Sequence, residues 1–374
     1  MGLVFQLGLL VAVKYAGFFF GAFIDLPKLH LPLGVSFYTF HAISYLVDVY
    51  RQKTPPQKNL LRLGLYLALF PKLVMGPIVP YHELEPALAQ RTIDAQDVSD
   101  GCFRFTIGLA KKALLADALA GLVTGIWGDL ASLTVLSAWL GLIGYALQLY
   151  FDFSGYSLMA MGLGEMLGFR LPANFDHPYT SCSMTEFWRR WHITLGSWFR
   201  EYVYIPLGGN RRGKCRTALN LLIVWLLTGM WHGAGYTFLL WGLSLFFLIF
   251  CEKFFIGGFL QRHRAVGHLY MLLFIPLTWA VFAAEDVSQF GVLFSRLFPF
   301  FGQKTLYPHD WLKYLTQYAP FLAAGALLSA KFPYRLFKRI KNKAIIALLL
   351  SAVAAGSLYC MYRGFDDPFL YFRF

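Results

Sequence analysis

Apolar runs about as long as a lipid bilayer is thick recur along most of this chain, and they restrict the folds open to it. Candidate spans lie near residues 3–23, 60–79, 103–126, 133–151, 217–231, 235–250, 269–284, 318–330 and 344–361, with marginal runs at 31–49 and 153–169. A helix needs roughly 20 residues to cross about 30 Å of hydrocarbon. Because unpaired backbone amides are costly in lipid, long runs without alternating polarity indicate helices rather than a barrel. The predicted fold class is therefore an all-α polytopic transmembrane bundle.

The composition agrees with that fold class. The chain is 57% hydrophobic and 14% charged, whereas a soluble domain is about half apolar and about a quarter charged. It contains no Ser/Pro-rich linker, low-complexity segment or evident internal repeat, so we expect residues 1–374 to form one helical membrane domain. Three prolines, Pro71, Pro77 and Pro80, predict that the second span is bent or broken.

The formal net charge is +13, from 33 Lys and Arg against 20 Asp and Glu. Basic loops retained on the cytoplasmic side explain such an excess most simply, and the basic segment 51–58 is one such loop. A second interpretation is attraction of an anionic substrate such as a nucleotide-bearing donor. The five cysteines show no paired spacing, so we predict neither a disulfide framework nor a metal site.

The stretch from residue 176 to 233 concentrates the residues that can carry chemistry. Tryptophans and arginines crowd residues 184–204, which is typical of a helix lying in the lipid headgroup region. His232 follows, and no Asp, Glu, Lys or Arg occurs between Thr217 and Phe250. Neutral histidine can be a general base for a hydroxyl nucleophile, but intramembrane histidines also pack helices or relay protons. The spacing alone leaves these roles open.

Charged residues also occur inside two apolar runs. Lys112 and Asp117 are five positions apart, which fits no usual helical ion pair, so we expect them to be separate interfacial charges. Asp152 lies at the end of another apolar run and is the more informative residue. Gly162, Gly164 and Gly168 follow no strand, so helix packing explains them better than a phosphate-binding loop.

A series of motifs resembles the consecutive signatures of the membrane-bound O-acyltransferase family, and most closely its bacterial branch that acetylates alginate. The motifs are FDFSGY (151–156), NFDHPY (174–179), FWRRWH (187–192), YIPLGGNR (204–211) and WHG (231–233). Residues 31–45, 70–77 and 369–374 are also similar to that branch, so the resemblance covers nearly the whole chain. It implies transmembrane helices with interfacial and re-entrant helices around a central tunnel.

The resemblance also implies roles for particular residues. His232 matches the family's proposed catalytic histidine and His192 its second required histidine. Asp152 and Asn174 are candidates for orienting the two histidines. Further candidate substrate contacts within the motifs are Trp188, Arg189, Arg190, Trp191 and Arg211.

These matches predict an O-acyltransferase of the bacterial inner membrane with several spans. The donor would be acetyl-CoA or an acyl-carrier thioester on the cytosolic side, with no bound cofactor. The acceptor would be a hydroxyl of an exported polysaccharide, reached directly or through a periplasmic acyltransferase partner, and we expect no binding of nucleic acid. D-alanyl transfer toward a cell-envelope polymer is an alternative within the family.

Two departures from the family's pattern qualify this prediction. Leu158 stands where the branch has Asp, and Gly196 where Ser is common. The chain also begins close to the residue 31 motif, from which we expect one or two amino-terminal spans to be missing. Outside the acyltransferases, a proton-coupled exporter would use the same histidines as a relay, and a third hypothesis is a scaffold for export proteins.

Overall fold

The computed structural model describes residues 1–21, 34–302 and 307–364, and within these residues the chain folds almost entirely into helices. The predicted all-α fold class is confirmed. The helices are α1 (Gly2–Phe20), α2 (Val35–Tyr50), α3 (Leu60–Ala68), α4 (Phe70–Leu73), α5 (Tyr81–Ala89), α6 (Ala95–Ala110), α7 (Asp117–Trp127), α8 (Val135–Met166), α9 (Met184–Arg190), α10 (Ile193–Phe199), α11 (Gly213–His232), α12 (Tyr236–Arg262), α13 (Arg264–Ala283), α14 (Val287–Arg296), α15 (Asp310–Ser329), α16 (Lys331–Phe337) and α17 (Lys343–Tyr362).

Five of these helices are long and apolar enough to cross a membrane: α1, α8, α12, α13 and α17. Helices α11 and α15 are 20 residues long as well, but their polar residues make them less apolar. Residues 22–23 and 31–33 of two predicted spans, and the 369–374 motif, lie outside the described residues.

The candidate span 133–151 and the marginal run 153–169 lie almost entirely within the single helix α8. In the structure Gln148, Asp152, Ser154 and Ser157 are all buried within the protein. Polar side chains at membrane depth are tolerated when they face protein rather than lipid, so the helix continues through them.

The second predicted span is broken as the prolines indicated. Helix α3 ends at Ala68, Leu69 is extended, and the four-residue helix α4 carries Pro71 in its first turn. Buried Lys72 lies on this short helix, with its ammonium 3.8 Å from the centre of the Tyr66 ring. Residues 74–80 then run without helical structure toward the site described below.

Helix α8 is the central helix, and it lies unusually close to α6. A Cβ atom added to Gly162 would lie 2.5 Å from the Gly101 carbonyl oxygen, and one added to Gly155 would lie 2.7 Å from that of Gly108. No larger residue fits these positions without a shift of the backbone. The helix-packing interpretation of Gly162 therefore agrees with the structure.

The prediction that Lys112 and Asp117 are separate interfacial charges is wrong. Residues Lys111–Ala116 form a π-helical turn between α6 and α7, and its wider winding brings positions five apart onto one face. The Lys112 ammonium lies 2.6 Å from Asp117 and 3.0 Å from Asp152. All three side chains are buried. Buried charges need partners of opposite charge, and these three residues provide them for one another.

The stretch 184–204 is also placed differently from the prediction. Instead of one helix, it forms α9, α10 and the helical turn Arg200–Tyr204, with α9 and α10 separated at Trp191 and His192. Trp191 and Trp198 are buried inside the protein. The Trp191 ring packs against Phe187 and Trp279 at centroid distances of 5.5 and 5.0 Å. The aromatic residues of this stretch therefore build the core around the site.

Candidate active site

His192 is held in a fixed position at the junction of α9 and α10. Its backbone has a φ of 45°, a left-handed conformation that few residues other than glycine adopt and that often marks a functional site. A bridge between Phe175 and Trp191 ties the preceding residue to the 174–179 segment, and the Ile193 N–H donates to the Asn174 carbonyl at 3.0 Å. These contacts hold the His192 backbone in its left-handed conformation.

The hydrogen bonds around His192 define which of its ring nitrogens carries the proton. The Asn174 Oδ1 accepts from the backbone N–H of Thr194 at 3.2 Å, so this atom is the amide oxygen. His192 Nδ1 lies 3.1 Å from the same oxygen and must donate to it. His192 Nε2 is then an acceptor, and it is buried without a hydrogen-bond partner within the described part of the chain.

The Asn174 cluster extends to the broken second span. The Thr194 hydroxyl donates to Asn174 Oδ1 at 3.0 Å and accepts from the Ile78 backbone N–H at 3.0 Å. His192 itself lies outside the membrane-spanning helices, and burial lowers its pKa to about 3. The imidazole is therefore neutral near pH 7, with an available lone pair on Nε2.

His232 is the last residue of α11 and is 9% exposed. Aromatic rings surround it: the Trp231, Trp241 and Phe282 centroids lie 4.9, 5.0 and 5.3 Å from that of its imidazole. A Cβ atom added to the next residue, Gly233, would lie 2.0 Å from the Phe238 ring. The absence of a side chain at Gly233 therefore allows the Phe238 ring to pack close to the end of α11.

Two cavities meet at His232. The wide vestibule has a volume of about 980 Å³ and contains both histidines in its wall. Its lining includes polar and charged residues: Thr185, Glu186, Arg189, Arg200, Glu252 and Lys253. The narrow pocket has a volume of about 20 Å³ and is almost entirely apolar, with Asp152 and His232 as its polar lining residues. Trp188, Trp191 and His232 line both cavities.

The vestibule lies on the side of the molecule that carries the basic 51–58 segment. Lys53 donates to Glu201 at 2.7 Å, and Arg51 lies 3.6 Å from the same carboxylate. Glu201 belongs to the helical turn Arg200–Tyr204, and both end residues of that turn line the vestibule. The hydrogen bond from Lys53 and the charges of Lys53, Arg51 and Arg200 lower the pKa of Glu201 despite its partial burial.

The structure brings most of the predicted site residues together. Asn174 contacts His192, Asp152 faces the narrow pocket, and Arg189 lines the vestibule. Two predicted residues are elsewhere. Arg190 donates to Glu186 at 2.6 Å and to Thr180 at 2.8 Å, and Arg211 is exposed beyond the residues that line the two cavities.

Sequence reasoning missed three residues that organise the site. Thr194 connects Asn174 to the 74–80 segment. Buried Glu252 accepts from the backbone N–H and the hydroxyl of Thr185 at 2.9 and 2.7 Å, which holds the start of α9. Lys112 pairs with Asp152. The sequence signals that could have found two of them were Glu252, an acidic residue just after the apolar run 235–250, and Lys112, a lysine inside the run 103–126.

Comparison with known proteins identifies relatives of the chain. The model of the MBOAT, membrane-bound O-acyltransferase family matches residues 50–262. A probable alginate O-acetylase of Pseudomonas putida is 43% identical over 271 residues, which is 72% of this chain and 56% of the relative. A peptidoglycan O-acetyltransferase of Helicobacter pylori is 35% identical over 338 residues, with 77% and 62% covered.

A more distant match is the teichoic acid D-alanyltransferase of Bacillus subtilis, at 28% identity over 254 residues, or 62% of this chain and 63% of that protein. The chain thus spans a little over half the length of the curated relatives it matches. The 50–262 segment contains both histidines, Asn174 and Asp152.

Proposed function

We propose a function from one premise: the chain belongs to the membrane-bound O-acyltransferase family, whose model matches more than half of its length. The protein transfers an acyl group, acetyl in our proposal, from a cytosolic thioester toward hydroxyl groups of an exported polysaccharide. The acceptor receives the group directly or through a periplasmic partner. The observation that carries this proposal is His232 in the walls of both a wide vestibule with charged lining residues and a narrow apolar pocket.

The vestibule suits a large, polar and anionic donor. Its volume of about 980 Å³ exceeds that of the narrow pocket many times over, and Arg189, Arg200 and Lys253 supply positive charge. Contacts between the 51–58 segment and Glu201 link this side to a basic loop. Because basic loops are retained in the cytoplasm, the vestibule opens toward cytosolic acetyl-CoA or an acyl-carrier thioester.

His232 acts as the general base in this mechanism. One of its ring nitrogens takes the proton of the acceptor hydroxyl as the hydroxyl oxygen attacks the thioester carbonyl carbon. The carbon–sulfur bond breaks, and the imidazolium returns the proton to the departing thiolate. The products are an ester and a free thiol, and His232 is regenerated.

His192 positions a reactant in the same mechanism. Its Nδ1–H is committed to Asn174, so Nε2 can accept a hydrogen bond from the acceptor hydroxyl or from an amide N–H of the donor arm. The neutral form is required for this role, and burial maintains it. Asn174 is accordingly a positioning residue that acts through His192.

Vesicle orientation tests the proposal. Sealed native membrane vesicles are loaded with alginate and given acetyl-CoA with a labelled acetyl group on the outside. We expect label in base-labile esters in the lumen of inside-out vesicles, and background levels in right-side-out vesicles and in vesicles lacking the chain. Equal labelling in vesicles with and without the chain would exclude acetyl transfer by this protein.

The exporter hypothesis predicts a different outcome for the same vesicles. Proton-coupled transport would move polymer across the membrane without any acyl donor. Alginate flux in the absence of acetyl-CoA, with no ester formation in its presence, would favour transport over our proposal.

A further inference from the structure

We infer that the narrow pocket beside His232 selects the acyl group, admitting acetyl while excluding longer groups, with Leu149 setting its size. This inference rests on the proposed acyl transfer and concerns which acyl group is transferred. The pocket is lined by Leu149, Asp152 and His232 together with Met75 and six aromatic residues. No polysaccharide fits such an apolar space, whereas the hydrocarbon end of an acyl group does.

The size of the pocket fits a very short chain. Its volume is about 20 Å³, and one water molecule needs roughly 10–15 Å³ on a comparable measure. There is room for a group about the size of one methyl. With the thioester carbonyl at His232, the methyl of an acetyl group fills the pocket, and each added methylene meets its wall.

The aromatic part of that wall is rigid. The Trp241 and Trp279 rings stack at a centroid distance of 6.1 Å, and Trp188 meets them edge-on at 5.6 and 5.9 Å. Trp241 and Trp279 are fully buried, so neither can move aside without displacing its neighbours. The pocket therefore keeps its size when a longer acyl group is offered.

Leu149 is the wall residue best suited to an experiment. It lies on the central helix α8, is 7% exposed, and contributes an aliphatic side chain to the pocket lining. Leu147, on the same helix and 8% exposed, packs on Gly325 and is not among the pocket's lining residues. The two leucines form a matched pair: truncating either removes the same atoms from the same buried helix, but truncating Leu149 enlarges the pocket.

Competition between acyl donors tests the size of the pocket. Inside-out vesicles receive equal amounts of labelled acetyl-CoA, propionyl-CoA and butyryl-CoA, and the esters formed are compared. We expect the wild type to favour acetyl over propionyl by roughly 10-fold or more, as one methylene in a fitted pocket does. Leu149→Ala should reduce this preference by at least a similar factor, and Leu147→Ala should leave it unchanged.

Three results would overturn the inference: equal use of acetyl and propionyl by the wild type, an unchanged preference in Leu149→Ala, or the same change in Leu147→Ala. If Leu149→Ala does not accumulate in membranes, Leu149→Val replaces it and should show a smaller change in the same direction. Absence of transfer of any acyl group by the wild type would instead contradict the proposed function.

Discussion

The vestibule and the narrow pocket share three side chains yet differ in almost every physical property. The vestibule is wide, has several charged lining residues, and is formed largely by short helices and turns, including α9, α10 and Arg200–Tyr204. The pocket is narrow and apolar, and it is built against the long central helix α8. A wide space can accommodate a large donor, whereas a close-packed one discriminates by single methylenes. His232 lines both cavities, so our proposal places donor recognition and acyl transfer at one residue.

Loss of the Asn174 cluster is the largest change that we expect on the vestibule side. Asn174→Ala leaves the buried His192 Nδ1–H and Thr194 donors without an acceptor, so His192 can change its tautomer and orientation. We expect acetyl transfer to fall by roughly 100-fold, measured with labelled acetyl-CoA in membranes. Asn174→Asp keeps an acceptor oxygen and should recover part of the rate. An Asn174→Ala enzyme of wild-type activity would show that His192 needs no such support.

On the pocket side, the buried ion cluster of Lys112, Asp117 and Asp152 should contribute to the stability of the fold. Lys112→Met leaves two buried carboxylates without their cation, which costs about 3 kcal/mol. Thermal unfolding of the detergent-solubilised protein measures this loss. Lys111→Met is the neighbouring control, since the Lys111 ammonium contacts the Ser154 hydroxyl at 3.3 Å and its loss should cost less. Equal stability of the two variants would argue against the paired cluster.

A charge at the vestibule wall should affect donor binding rather than chemistry. Arg189→Gln removes one exposed positive charge, so we expect the KM for acetyl-CoA to rise about 3-fold to 10-fold at low salt with little change in kcat. The effect should shrink as the ionic strength rises. Arg190→Gln is the contrast, because Arg190 is not itself a lining residue of the vestibule and its charge is paired with Glu186. A larger KM change in Arg190→Gln would mean that the donor lies elsewhere.

The smallest effect concerns the contact between the vestibule side and the 51–58 segment. The pKa of Glu201 is lowered from its ordinary value of 4.5, mainly by Lys53, so the contact stabilises the fold above that value. The stabilisation is lost as the pH falls through the lowered folded-state pKa, where Glu201 takes up a proton. Both side chains are more than a third exposed, so Lys53→Met should cost below about 1 kcal/mol near pH 7. Unfolding at several pH values should show this difference disappearing in acid.

The sequence predicted those parts of the fold that depend on composition and local pattern. Long apolar runs are sufficient to identify an all-helical membrane protein, and Pro71 and Pro77 lie where the second span breaks. The motifs identified the family, which is confirmed by the match over residues 50–262. The roles of His192 and His232 stay predictions, although the structure places both in the wall of one cavity.

The errors arose where tertiary contacts override local pattern. The tryptophans of residues 184–204 resemble a headgroup belt in sequence, and only the packing against Trp279 reveals that they face the interior. The pairing of Lys112 with Asp117 depends on a π-helical turn, which no hydrophobic pattern announces. The pocket beside Leu149 likewise depends on side chains far apart in the chain, so spacing alone could not predict it.

The central claim is that His232 carries out the transfer at the junction of the two cavities. The most direct measurement compares labelled-acetyl transfer from acetyl-CoA in membranes containing equal amounts of wild type, His232→Ala and His263→Ala, where His263 is an exposed histidine that lines neither cavity. We predict a loss of about 100-fold or more in His232→Ala, the lower range for a general base, and wild-type transfer in His263→Ala. Transfer at the wild-type rate by His232→Ala would contradict the account.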